Sequence, residues 1–258
     1  ETADTLAALR EAKRCGARVL AITNVVGSSV AREADDVIFT WAGPEIAVAS
    51  TKAYTSQLIA FYLFGLYLAQ TIGTQEAAST RQVIAALQSL PEQVERILEQ
   101  KEQIKRFAAR IANYEDLFFI GRGLDYAVAL EGSLKLKEIS YIHSEAYAAG
   151  ELKHGTLALI EDGVPVIALA TQPELYEKTL SNIKEVTARG AHVLGIFPEG
   201  AGEMAKAADE VFWIPNTLPL LMPALSVIPL QLLAYYASVA RGNDVDKPRN
   251  LAKSVTVE

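Results

Sequence analysis

The stretch EAKRCGARVLAITNVVGSSVAREADDVIFTWAG, residues 11–43, recurs in altered form as EVTARGAHVLGIFPEGAGEMAKAADEVFWIPNT, residues 185–217. The two align without a gap at a constant offset of 174. Gly16 then pairs with Gly190, Val19-Leu20 with Val193-Leu194, Ile22 with Ile196, and Ala34-Asp35 with Ala208-Asp209. Each copy reads as a helix end, a glycine stop, a buried strand, a short helix and a second strand. Glycine just past a helical period is a C-terminal stop signal. Short β-branched runs without polar alternation are what a parallel strand covered on both faces shows. Strand and helix alternate throughout, so the class is α/β: two similar subdomains, each a parallel sheet flanked by helices.

More structure precedes the second copy. Leu117–Ile120 reads as a strand, followed by Gly121-Arg122-Gly123 and a helix from about Asp125 to Ile142. Val164–Ala170 reads as a further strand, with a helix from Pro173 to Arg189 after it. The first copy has nothing comparable before its helix. The expectation is a first subdomain lacking its N-terminal part, with at least one strand and one loop supplied by sequence upstream of Glu1. An open sheet edge would otherwise expose backbone and core.

Between the copies, Glu76–Asn113 reads as helical, with Pro91 opening a second helix at its first turn. Glu92, Glu95, Glu99, Lys101, Glu102 and Lys105 make a solvated face there. Pro223–Ala240 reads as an apolar helix interrupted at Pro229 and closed by Arg241-Gly242. The end, NDVDKPRNLAKSVTVE, has no helical period but few flexible residues, so it is expected to pack. The division that follows is 1–75 for the first subdomain, 76–114 for connecting helices, 115–242 for the second subdomain, and 243–258 for a tail contributing to the active site.

Half of the 258 residues are apolar, enough for a sizeable core. The formal charge of -7 argues against a nucleic-acid surface or an anionic membrane as partner. Cys15 is the one cysteine, so no disulfide framework or cysteine metal cluster forms within the chain, in keeping with a reducing cytoplasm. It ends a helical pattern and carries no nucleophile signature. ETADTLAALREAKR has no secretory pattern. Residues 53–75 carry no charge, but the continuously apolar run Leu58–Ala69 is 12 residues, short of the about 20 that span a bilayer. It reads as a buried core or dimer-interface helix.

The chemistry-bearing residues concentrate in EGSLKLKEISYIHSEAYAAGELKHG, Glu131 to Gly155, which holds two of the three histidines. Glu131, Lys135 and Glu138 stand at i, i+4 and i+7 on one helix face. They form either a surface salt-bridge ladder or a proton-transfer group. The second reading draws on the Gly-rich turn ahead of the helix, at a strand's C-terminal end, where open α/β sheets bind ligands. Gly121-Arg122-Gly123 is not a dinucleotide fingerprint. Gly150–Gly155 reads as a loop, in which His154 is either a surface histidine or one titrating near neutrality. A metal site is disfavoured: His143 and His154 are 11 apart, no H-E-x-x-H occurs, and His192 starts a strand. Neither a nucleophile elbow nor a Walker loop occurs. Ser50-Thr51-Lys52 and Thr2 stand at helix starts, as simple caps or as contacts to an anion or sugar hydroxyl.

Together EGSLKLKEISYIHSEAYAAGELKHG, EIAVASTKAYTSQL (Glu45–Leu58) and DVDKPRNLAKSVTVE (Asp244–Glu258) resemble the isomerase half of the glutamine–fructose-6-phosphate aminotransferase family, the glucosamine-6-phosphate synthases. The opening ETADTLAAL resembles the continuation of that family's phosphate loop. The resemblance runs the whole chain and implies two sugar isomerase (SIS) subdomains. It implies conversion of fructose 6-phosphate to glucosamine 6-phosphate with ammonia from glutamine, no metal or organic cofactor, and a cytoplasmic homodimer. By the same resemblance Glu138 is the base between C1 and C2, and Lys253 is the amine that forms a Schiff base. His154 assists ring opening from the neighbouring subunit, and Lys135 supports the proton transfers. Thr2 donates to the phosphate, while Val48, Ser50 and Ala252 contact the sugar. The family's N-terminal glutaminase domain, and the phosphate-loop serines ahead of Glu1, have no counterpart in these residues. Two alternatives stay open: a non-catalytic SIS sensor of sugar phosphates, and an enzyme of the glucosamine-6-phosphate deaminase kind.

Overall fold

The computed structural model describes residues 2–255. Glu1 and Thr256–Glu258, which bound the first-subdomain and tail expectations, lie outside the described residues. The chain divides into two compact units, residues 1–80 with 246–258, and residues 81–245.

The first unit runs α1 (Ala3–Arg14), β1 (Leu20–Thr23), α2 (Ser29–Glu33), β2 (Asp36–Phe39) and α3 (Lys52–Ile72). β1 and β2 pair in parallel, Leu20 opposite Asp36. The tail packs as expected: Val48 N–H donates to the Asp246 carbonyl and Ala3 N–H to the Val255 carbonyl, both at 2.9 Å. The core-helix reading of the uncharged segment does not hold within this unit. Only Ala60 of α3 is buried, and Phe61, Leu63, Tyr67 and Ile72 are exposed. The sheet it packs on has two strands among the described residues, too narrow to enclose a helix of 21 residues.

The second unit contains most of α4 (Ala77–Glu99), then α5 (Lys101–Ile111), β3 (Asp116–Gly121), α6 (Leu124–Ser140) and β4 (His143–Ala148). β5 (Pro165–Leu169), α7 (Tyr176–Thr187), β6 (His192–Pro198), α8 (Gly202–Ala205), β7 (Glu210–Ile214) and α9 (Met222–Ala240) follow. The sheet is parallel throughout, in the order β4-β3-β5-β6-β7. Alternate strand residues point to opposite faces. Phe118, Ile120, Val166, Ala168 and Val193 join Ile183 and Val186 of α7 in one apolar cluster. α9 packs on both α6 and α5.

The repeat reappears down to single bonds. Asp35 Oδ2 accepts from Val19 N–H at 2.8 Å, and Asp209 Oδ2 accepts from Val193 N–H at 2.7 Å.

Three local features differ from the sequence reading. Pro91 opens no helix, because α4 runs through it and the break falls at Gln100. Proline costs a helix interior about 3 kcal/mol. Leu90 and Ile97, seven residues apart on one buried stripe, each return about 1.5–3 kcal/mol. Pro229 likewise lies inside an unbroken α9 whose surface is mostly enclosed. β4, the edge strand, is the third. HSEAYA has no β-branched residue, and its buried Ser144 is held by Ser133 Oγ, which donates to the Ser144 carbonyl at 2.9 Å. Among the described residues one stretch, Pro219–Ala240, is long and apolar enough to cross a membrane, and most of it is buried in this unit.

Candidate active site

In the second unit the site begins where β3 turns into α6. A Cβ on Gly121 would meet the Asp125 backbone carbonyl at 2.6 Å, so only glycine permits the tight turn. Asp125 then ties the head of α6 to the end of β5. Its carboxylate accepts from Thr171 N–H at 2.7 Å and from Thr171 Oγ1 at 2.5 Å. Burial pushes this carboxyl up to about 6, against the opposing pull of hydrogen bonds from Thr171 and the Gln172 backbone.

One to four turns further along α6 stand Glu131, Lys135 and Glu138. Lys135 Nζ is 2.5 Å from Glu138 Oε2 and 3.6 Å from Glu131 Oε1. The ammonium is 5% exposed, so the group is no solvated surface ladder. Burial raises the Glu131 carboxyl above its ordinary value; the Lys135 charge opposes this and the Glu138 charge adds to it. Glu138, at 23% exposed, is the more open of the two carboxylates. A carboxylate open to a ligand on one side and paired with an ammonium on the other can accept and return a proton.

His154 ends a 3-10 segment, Ala149–His154, where the sequence reads as a loop. Fully buried Leu152 anchors that segment. The imidazole is 76% exposed, 3.9 Å from Glu151 Oε2. The other histidines lie against carboxylates: His143 Nδ1 is 2.6 Å from Asp116 Oδ1, and His192 Nε2 is 2.8 Å from Glu210 Oε1. Among the described residues no three His, Cys, Asp or Glu side chains converge to hold a metal ion.

In the first unit, Lys253 Nζ reaches back from the tail to the loop before α3. It donates to Glu45 Oε2 at 2.8 Å and to the Ala47 carbonyl at 2.7 Å, next to Val48. Glu45 also accepts from Thr51 N–H at 2.9 Å and Ala53 N–H at 3.2 Å, and Ser50 Oγ lies 3.4 Å from it. The helix cap that Ser50 and Thr51 were expected to supply is therefore made by Glu45. Burial works to raise this carboxyl, but bonds from Lys253, Thr51 and Ala53 outweigh it and hold it below the ordinary glutamate value. Val48, Ser50, Ala252 and Lys253 are thus gathered on one side of the first unit. Thr2 is exposed at the head of α1, adjacent to the residue that bonds Val255. Glu45 was missed in the sequence. Its available signal was its position, the last acid ahead of a long helix that carries no charge beyond Lys52.

Comparison with known proteins adds the following. The model of the family described as SIS domain matches residues 1–67 and 110–241. A glutamine--fructose-6-phosphate aminotransferase [isomerizing] from Caldanaerobacter subterraneus subsp. tengcongensis is 64% identical over 258 residues, all of this chain and 42% of the relative. A protein of the same name from Methanosarcina mazei is 52% identical over the same span, again 42% of its length. The chain therefore spans about two-fifths of the length of the curated relatives it matches. Among solved structures, the C-terminal domain of glucosamine-fructose-6-phosphate aminotransferase from Francisella tularensis superposes with a TM-score of 0.93 and 40% identity, over 96% of this chain and 71% of that one. A glucosamine-6-phosphate deaminase from Thermotoga maritima superposes at 0.73 with 25% identity, over 99% and 72%.

Proposed function

The chain belongs to the SIS domain family, and on that premise we propose that it is the isomerase part of a glutamine–fructose-6-phosphate aminotransferase, making glucosamine 6-phosphate from fructose 6-phosphate and ammonia. The observation that carries this reading is the seat of Lys253. Its amine rests against the carbonyl of Ala47, beside Val48 and within one loop of Ser50. A module that only senses sugar phosphates has no need of a primary amine held beside its sugar contacts.

The chemistry then runs through this chain's own groups. Lys253 Nζ adds to the C2 carbonyl of the open sugar and water leaves, forming an imine. Ammonia adds at C2 and releases the lysine, leaving the imine on the sugar. Glu138 removes a proton from C1 and returns it to C2, while the proton lost from O1 is matched by one gained at the imine nitrogen, so that C1 becomes the aldehyde and C2 carries the amine. Lys135 pairs with Glu138 and holds its carboxylate in place between the two transfers. His154, contributed by the partner subunit of a homodimer, assists ring opening. Thr2 donates to the phosphate, which orients the sugar by remote binding energy. Val48, Ser50 and Ala252 contact the hydroxyls. Neither transfer calls on a metal or organic cofactor. Ammonia comes from a glutaminase domain of the parent protein, and the setting is cytoplasmic.

Glu138→Gln in the full-length parent protein tests the reading. Isomerisation falls by at least about a thousandfold, while binding of a sugar phosphate stays within about threefold. Undiminished turnover would sink it. The likeness to the Thermotoga deaminase favours a second reading, release of ammonia from glucosamine 6-phosphate. An assay in that direction, with net ammonia formed and no demand for glutamine, would select it instead.

A further inference from the structure

Glu45 uses its two carboxylate oxygens for two different tasks. Oε1 accepts from the backbone N–H groups of Thr51 and Ala53, the first free donors of α3. Oε2 accepts from Lys253 Nζ. The Glu45 side chain is 8% exposed and the Lys253 side chain 44%. The carboxylate is therefore the fixed member of the pair, built into the loop and helix end, and the lysine is the mobile one. The elements around Lys253 carry other ionic groups: Asp4 on α1, Lys52 heading α3, and Asp246, Lys247 and Arg249 on the tail. Among the described residues Glu45 is the charge that Lys253 touches.

The internal repeat supplies a control. α3 starts at Lys52 and α9 at Met222, and the residues ahead of α9, 215–221, hold no Asp or Glu. α9, the counterpart of α3, starts without a carboxylate at its head. Starting a long apolar helix in this fold does not need the acid. The acid occurs in the copy whose helix end meets the tail amine.

We propose that Glu45 is a positioning residue that seats the Lys253 amine over the sugar contacts at Val48 and Ser50, so that the tail delivers its nucleophile in one orientation. The proposal rests on the role given to Lys253 above. Holding a flexible four-carbon side chain in one place converts a search over rotamers into a fixed approach to the carbonyl. It also makes the loop Glu45–Ser50 the physical link between sugar binding and the amine.

The division of labour between the oxygens makes the test clean. Glu45→Gln keeps an oxygen for the two backbone N–H groups and turns an amide N–H₂ towards Lys253. The full-length parent protein is incubated with fructose 6-phosphate and borohydride, and the rate of reduced adduct on Lys253 is followed by mass. The Gln variant is expected to trap at least tenfold more slowly, with sugar-phosphate affinity within about threefold and an unchanged unfolding midpoint. Glu45→Asp, which keeps the charge, is expected to recover part of the lost rate. Trapping in the Gln variant within twofold of the parent overturns the inference, as does a loss matched by an equal loss of sugar-phosphate affinity. If the unsubstituted protein forms no adduct on Lys253, the role of Lys253 itself is wrong. That arm separates the failure of the functional reading from the failure of this one.

Discussion

Gly16 and Gly190 hold the same left-handed conformation, φ +83° and +91°, at the same place in two copies of one strand-helix unit. Each stops a helix and turns the chain into a parallel strand. Their surroundings differ. A Cβ at Gly190 would lie 2.8 Å from the Cα of Asp162, while at Gly16 nothing stands within 4 Å. Gly16→Ala therefore carries the backbone strain alone, about 1–2 kcal/mol. Gly190→Ala adds a clash with main chain, which cannot swing aside, for a total of about 3 kcal/mol or more. Urea unfolding of the two variants checks this, and equal costs would refute it.

Gly132 lets α6 and α9 approach. An added Cβ would meet Leu230 Cδ1 at 2.5 Å and Phe119 Cε1 at 3.2 Å. Gly132→Ala should destabilise by about 1–3 kcal/mol through overpacking. Combined with Leu230→Ala, the methyl gains room, so the double variant should lose less than the sum of the singles. Additive losses would mean that the two side chains do not compete for one space.

Asp125 predicts a pH dependence with a definite sign. Its folded value, about 6, lies above the ordinary 3.8, so the folded state holds the proton more tightly than the unfolded one. The contribution to stability is full below about 4 and is lost as pH rises through about 6, by on the order of 3 kcal/mol. Between pH 4 and 6.5 the unfolding free energy of the parent should fall relative to that of Asp125→Asn. Parallel curves would show that the carboxyl is already ionised throughout.

Lys135 is the buried cation between two carboxylates. Lys135→Met leaves Glu131 and Glu138 facing each other without it, and breaking a buried pair in this way costs about 3–5 kcal/mol. The loss should be larger at pH 8 than at pH 5, because burial raises the Glu131 carboxyl and its protonation relieves the repulsion. Isomerisation should fall about a hundredfold, since Glu138 then loses the ammonium that holds it in place. Stability measured at both pH values, beside turnover, checks the pair. A cost independent of pH would count against it.

Much of the second unit was legible in the sequence because its signals are local. The glycine stop at 190 and the apolar runs of β3, β5 and β6 are read without reference to distant residues. β4 was not legible. HSEAYA is polar and small, and it is a strand only because β3 offers it a partner edge. Pro91 and Pro229 misled for the opposite reason. A local rule against proline in helices was outweighed by burial that only the assembled helices provide.

Site chemistry divides the same way. By itself the sequence determined the parallel α/β class and the duplication, and its family resemblance singled out Glu138, Lys135 and Lys253 as candidates. Spacing along one helix sufficed to put Lys135 and Glu138 on a common face. Tertiary structure decided that this face is buried, so Lys135 and Glu138 form an enclosed pair and not a surface ladder. It also decided that Lys253 is seated by Glu45, 208 residues earlier in the chain. Helical periodicity reaches across a few residues, whereas the pairing of a tail amine with a loop carboxylate depends on how both segments fold back on one unit.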